Sequence, residues 1–151
     1  ITYGKELSES ELERGLRISG LLEKVNSFRN GVRTTLGREF DEDGVDLSGG
    51  EQQKLSISRV CCANPEIMIF DEPTSALDPI AEHEVISGLR NVTQHKTSII
   101  ISHRLSSTKM SDKIAVLADG MLQEFGCHEE LVKKENGMDG QLFEAQAKYY
   151  T

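Results

Sequence analysis

Apolar positions recur at helical spacing over the first 36 residues. Leu12 and Leu16 are four apart and Leu22 and Val25 three apart, with polar residues between them. Ser8 and Glu11 form a Ser-x-x-Glu capping box ahead of the first run, and Gly20 interrupts the pattern, so two helices are expected. The stretch "GREFDEDGVD", residues 37–46, is acidic and turn-rich and reads as a loop. Ser48 and Glu51 repeat the capping box and open a further helix, which runs to about Cys62 and stops near Asn64-Pro65.

The period then changes. Ile67 to Phe70 are consecutive apolar residues that end abruptly in Asp71-Glu72-Pro73. That is the pattern of a strand buried on both faces, as in a parallel sheet. Asp78 and Pro79 supply an N-cap and an N1 proline for the next helix, whose inner face carries Val85, Leu89 and Val92. "TSIII", Thr97 to Ile101, predicts a second buried strand, completing a strand–helix–strand unit with a right-handed crossover. "KIAVLADGMLQEFG" predicts two short strands joined at Asp119-Gly120. The tail from Glu129 reads as helical, with a break at Asn136-Gly137. The fold class is therefore α/β with a helical block in front. No internal repeat or low-complexity segment is evident.

A length of 151 residues suits one domain with a reasonable core. The 17 Lys and Arg against 25 Asp and Glu give a net charge of −8, which argues against a nucleic-acid surface. Acidity does not exclude phosphate ligands, because backbone N–H groups and Mg2+ bind them locally. Cys61, Cys62 and Cys127 have no metal-type spacing, and adjacent Cys61 and Cys62 are poorly placed to bridge one another, so reduced thiols in a cytosolic protein are expected. No apolar run approaches the roughly 20 residues of a membrane helix, and no signal peptide is visible. The first residue is Ile1, which suits a processed or partial chain.

Three clusters carry candidate chemistry. Parallel sheets bind ligands at the carboxyl ends of their strands, where Asp71-Glu72 and, after the next strand, His103 fall. One carboxylate can hold Mg2+ and its neighbour can position or deprotonate a water, the pairing that phosphoryl transfer requires. Asp71 and Glu72 also read simply as the end of a strand before a proline, and His103 as a surface side chain. The third cluster is "DLSGGEQQKLSISR". A capping box does not need Gly49 and Gly50, and glycine at a helix start costs stability. Bare backbone at the positive end of a helix suits an anion, most naturally a phosphate, although a well-capped helix is the plainer reading.

Taken in order, these motifs resemble the ATP-binding cassette (ABC) ATPases. "LSGGEQQ", Leu47 to Gln53, resembles the signature motif and "IMIFDE", Ile67 to Glu72, the Walker B motif. "SALD", Ser75 to Asp78, resembles the D-loop, and His103 in "IISHR" the switch histidine. The resemblance implies a partial P-loop NTPase (RecA-like) core with parallel strands, plus an α-helical signature subdomain. Residues 1–62 would be that subdomain and 63–151 the C-terminal part of the ATPase core. It implies ATP and Mg2+ as cofactors and a second nucleotide-binding domain as head-to-tail partner. Ser48, Gly49, Gly50 and Glu51 would then serve ATP bound to that partner. Asp71 would support Mg2+, Glu72 polarise the attacking water and His103 contact the γ-phosphate. Ser75 and Asp78 would link the two sites.

Gly120, Glu124, Gly126, His128, Glu130 and Leu131 match a pattern at the end of exporter-type domains, with His128 structural. An exporter implies a transmembrane domain as a further partner and a place at the cytoplasmic face of the membrane. By the same resemblance, the loop from Gly37 to Asp46 would sit where exporters carry a segment near the coupling helices, with Glu39 and Asp43 as candidate contacts. The P-loop pattern G-x-x-x-x-G-K-[ST] occurs nowhere in the chain; the one Gly-Lys pair, Gly4-Lys5, is followed by Glu6. An aromatic base-stacking residue and a Q-loop are equally absent. The chain alone is therefore expected not to hydrolyse ATP, and to expose sheet edges and apolar surface. Two other readings remain: a soluble ABC ATPase of DNA repair or translation, and a non-catalytic interaction module.

Overall fold

The structure is a computed structural model and describes residues 6–39, 42–104, 107 and 109–133. Gly4-Lys5, the break at Asn136-Gly137 and the tail beyond residue 133 lie outside the described residues. The chain forms two compact units, residues 1–101 and 102–151.

The first unit begins with α1 (Glu9–Ile18) and α2 (Leu22–Asn26), followed by a 3-10 turn at Gly31–Arg33. The Ser8 side chain caps the Glu11 amide while the Glu11 carboxylate accepts from the Ser8 N–H, so the sequence-predicted box is formed. Gly20 adopts a left-handed φ of 67° and ends the first helical run. Among the described residues of the loop after residue 33, Leu36 and Val45 form an isolated bridge. α3 spans Gly49–Ala63 and ends at Asn64, which takes the left-handed conformation of a C-cap. Lys96 Nζ donates to the Asn64 and Pro65 carbonyls at 3.1 and 2.6 Å, placing a cation at the negative end of that helix. Leu16, Leu21, Val25 and Leu55 form a buried cluster joining α1, α2 and α3.

β1 (Ile67–Asp71) and β2 (Thr97–Ile101) pair in parallel, with Ile69 opposite Ile99 and Asp71 opposite Ile101. α4 (Pro79–Thr93) connects them, and Val85, Leu89 and Val92 are buried on it as the spacing requires. The expectation of strands buried on both faces is not met. β1 alternates, with Met68 and Phe70 buried while Ile67 and Ile69 are each 62 % exposed; on β2, Ile99 and Ile101 are each 51 % exposed. One sheet face is covered and the other, among the described residues, is bare. The apolar run encodes a two-faced strand, but no described element packs on the second face.

In the second unit, β3 (Ile114–Ala118) and β4 (Met121–Gly126) form an antiparallel hairpin with a register shift at Val116/Leu117. Asp119 and Gly120 both have positive φ, 51° and 73°, as a two-residue hairpin turn demands. A short α5 (His128–Leu131) follows and packs on β4. Its start is closed by the Glu130 carboxylate, which accepts from the Cys127 N–H at 3.1 Å.

Candidate functional site

The N-terminus of α3 is built by a second capping box. The Ser48 hydroxyl accepts from the Glu51 N–H at 3.3 Å, and Glu51 Oε2 accepts from the Ser48 N–H at 2.8 Å. Lys24 Nζ lies 3.0 Å from Glu51 Oε1 and anchors that carboxylate to α2. The bond from the Ser48 backbone, then Lys24, holds the Glu51 carboxyl below its usual pKa. The box occupies the third helical N–H and leaves those of Gly49 and Gly50, which have no intrahelical acceptor by geometry.

The two glycines do different things. A β carbon at Gly49 would meet nothing within 4 Å, so that position is open to an incoming ligand. A β carbon at Gly50 would come within 3.1 Å of the Ala76 carbonyl oxygen and 3.4 Å of Leu77 Cδ2. A side chain at Gly50 would press on the loop after β1, so the glycine there eases the close approach of α3 to that loop. Open space surrounds the first glycine only.

β1 delivers Asp71 at its last position, exposed on the bare face of the sheet. Glu72 follows with a left-handed φ of 45°. Its N–H donates to the Ile101 carbonyl at 2.9 Å, so the parallel register aligns the carboxyl ends of β1 and β2. Ser75 and Asp78 lie in and at the end of the loop that follows. Asp78 Oδ1 accepts from the Ile80 and Ala81 amides at 3.0 Å each and caps α4; these bonds, that from Ala81 foremost, lower its pKa. His103 is exposed, two residues past β2 in the chain, and belongs to the second unit. His128 occupies the first position of α5 and is partly buried.

Sequence reasoning passed over Gln53. Its side chain donates to the Glu72 carbonyl at 2.9 Å and to Ser75 Oγ at 3.0 Å, and accepts from the Ala76 N–H at 2.8 Å. The available signal was positional: Gln53 shares a helical face with Gly50 at i−3 and buried Ile57 at i+4.

The residues fit the groups the site chemistry implies, in part. Among the described residues no three His, Cys, Asp or Glu side chains converge on a metal position. Asp71 and Glu72 thus offer a fraction of a coordination shell, which suits Mg2+, an ion that keeps several waters and completes its shell with substrate phosphates. The open start of α3 likewise suits one face of a phosphate.

Residues 6–75 match the ABC transporter family. The chain is 42 % identical over 136 residues to the ATP-dependent lipid A-core flippase of Desulfotalea psychrophila, covering 89 % of this chain and 23 % of that protein. It is 37 % identical to the α-hemolysin translocation ATP-binding protein HlyB of Escherichia coli O157:H7, over 87 % of this chain and 18 % of the relative. It is 38 % identical to the mitochondrial ATP-binding cassette sub-family B member 10 of Mus musculus, over 97 % of this chain and 21 % of the relative. Among solved structures it resembles a bacterial Atm1-family ABC exporter with ATP bound, with a TM-score of 0.79 and 36 % identity over 96 % of this chain and 25 % of that one. The chain belongs to the ABC transporter family, and the solved structure it resembles is that of an exporter. It spans about a quarter or less of the length of these relatives. No described helix is long and apolar enough to cross a membrane.

Proposed function

We propose that this chain is the signature-bearing C-terminal part of an exporter's nucleotide-binding domain. Residues 1–62 are its α-helical signature subdomain and residues 63–151 the C-terminal part of its ATPase core. In a head-to-tail pair, the start of α3 presents Ser48, Gly49, Gly50 and Glu51 to ATP held by the partner domain. Asp71 supports Mg2+ through water, Glu72 polarises the attacking water and His103 contacts the γ-phosphate. Ser75 and Asp78 face the partner. The complete protein couples ATP hydrolysis to export through a transmembrane domain, with this domain at the cytoplasmic face of the membrane.

The observation that carries this reading is the likeness to an ATP-bound exporter across 96 % of the chain, with the α3 start meeting the loop after β1 at Gly50 and Ala76. The 151 residues contain no P-loop, which supplies most of the phosphate grip, so the chain alone does not turn over ATP.

The test is Mg-ATPase activity of the full-length protein carrying this sequence and of the 151-residue chain. The full-length protein hydrolyses ATP, Glu72→Gln abolishes it, and the shorter chain is inactive. Turnover by the shorter chain that Glu72→Gln removes would overturn the role assigned to the missing loop. A full-length protein without ATPase activity would overturn the enzymatic reading and favour an interaction module.

A further inference from the structure

Gln53 closes onto the loop after β1 with its whole carboxamide. Nε2 reaches the Glu72 carbonyl and Ser75 Oγ at 2.9 and 3.0 Å, and Oε1 takes the Ala76 N–H at 2.8 Å. A backbone carbonyl can only accept and a backbone N–H can only donate, so these partners dictate which end of the amide is which. The partners span residues 72–76, the segment between β1 and α4. Within it Glu72 holds a left-handed φ of 45°, a conformation that a residue with a β carbon keeps only where its surroundings over-determine it. The surroundings do so here. The Glu72 N–H is tied to the Ile101 carbonyl at 2.9 Å, and its carbonyl accepts both Gln53 Nε2 and the Ser75 N–H, the latter at 3.2 Å. Gln53 is the one of these three ties that comes from outside the sheet and the loop. It comes from α3, five residues after the Ser48 cap, on the helix whose first turn approaches Ala76 at Gly50.

We propose that Gln53 is a positioning residue for ATP hydrolysis: it sets the backbone of Glu72, and so the aim of its carboxylate, and links that setting to the start of α3. A ligand engaging Ser48 to Gly50 and the orientation of Glu72 then form one mechanical unit within a single chain. The inference rests on the ATPase function proposed above. A glutamine that merely fastened α3 to the loop would affect stability and leave turnover alone.

The test compares wild type, Gln53→Met and Gln53→Glu in the full-length protein, with Glu72→Gln as control. Met keeps the volume and none of the three bonds. Glu can still accept from the Ala76 N–H but cannot donate to the Glu72 carbonyl, so it also decides the matter should Gln53→Met fail to fold. Both variants should lower kcat by about 10- to 100-fold while KM for ATP stays within about 3-fold, the pattern of a displaced catalytic group rather than lost substrate binding. Amide hydrogen exchange of residues 72–76 should quicken about 10-fold while that of residues 55–62 is unchanged. Wild-type kcat in either folded variant, or a lowered melting temperature with kcat untouched, overturns the proposal. If the wild type itself fails to hydrolyse ATP, the functional reading fails, and the exchange measurement still judges the coupling: unaltered exchange at residues 72–76 overturns it, and quickened exchange upholds it.

Discussion

Gly15 of α1 lies directly against Cys62 of α3: a β carbon at position 15 would overlap the Cys62 sulfur and come within 3.0 Å of the Ser58 carbonyl oxygen. The two helices cross here at a distance that only hydrogen on α1 permits. Gly15→Ala should therefore destabilise the fold by about 1–3 kcal/mol, against the gain in helix propensity that alanine normally brings. Cys62→Ala removes the overlapping sulfur, so the double variant should be more stable than the sum of the single effects predicts. Urea denaturation of the four proteins of the cycle measures the coupling.

The signature glycines should separate by the same logic. Gly49→Ala meets open space and should leave stability within about 0.5 kcal/mol of wild type, while placing a methyl where a phosphate would approach. Gly50→Ala must displace the Ala76 carbonyl and should cost about 1–3 kcal/mol. In the full-length protein, Gly49→Ala should impair ATP turnover with no change in melting temperature, and Gly50→Ala should impair both.

Carboxylates at three of the helix starts give the fold a pH dependence. Glu11, Glu51 and Asp78 are each held below their ordinary pKa, by the Ser8 side chain, the Ser48 backbone and the Ala81 amide respectively. A carboxyl depressed in the folded state stabilises above its unfolded value and loses that contribution as pH falls through the folded value. Stability should therefore decline from about pH 5 towards about pH 3. In Glu51→Gln that decline should be shallower, as thermal melts across this range would reveal.

The adjacent thiols should be inert. Burial, then the neighbouring Cys62, pushes Cys61 up to about 11, and burial raises Cys62 as well. Because the thiolate is the nucleophile, neither should react appreciably with iodoacetamide at pH 8 in the folded chain, and both should label once urea unfolds it. Mass spectrometry of the labelled peptides reads this directly.

The bare face of the β1–β2 sheet should make the 151-residue chain self-associate. Ile67, Ile69, Ile99 and Ile101 form a contiguous apolar surface, and two strands offer no independent stability. Sedimentation velocity should show concentration-dependent association that Ile69→Thr with Ile99→Thr reduces, with little change in the melting temperature of the unit.

The sequence by itself determined the caps, the glycine breaks, both parallel strands and the hairpin turn. Each of these depends on a few neighbouring residues: a hydroxyl and a carboxylate three apart, a proline after an aspartate, two residues able to take positive φ. It also determined the order of motifs by which the family is recognised. The tertiary structure decided what local pattern cannot carry. It showed the apolar strands covered, among the described residues, on one face only, because burial depends on which elements pack there and not on the strand's own composition. It showed that Gly50 lies close against Ala76 and that Gln53 bonds to Glu72, Ser75 and Ala76, contacts that join residues 19 to 26 apart in sequence. A close approach between a helix and a loop leaves no periodicity to read. It exists only once the strand has brought the loop to the helix.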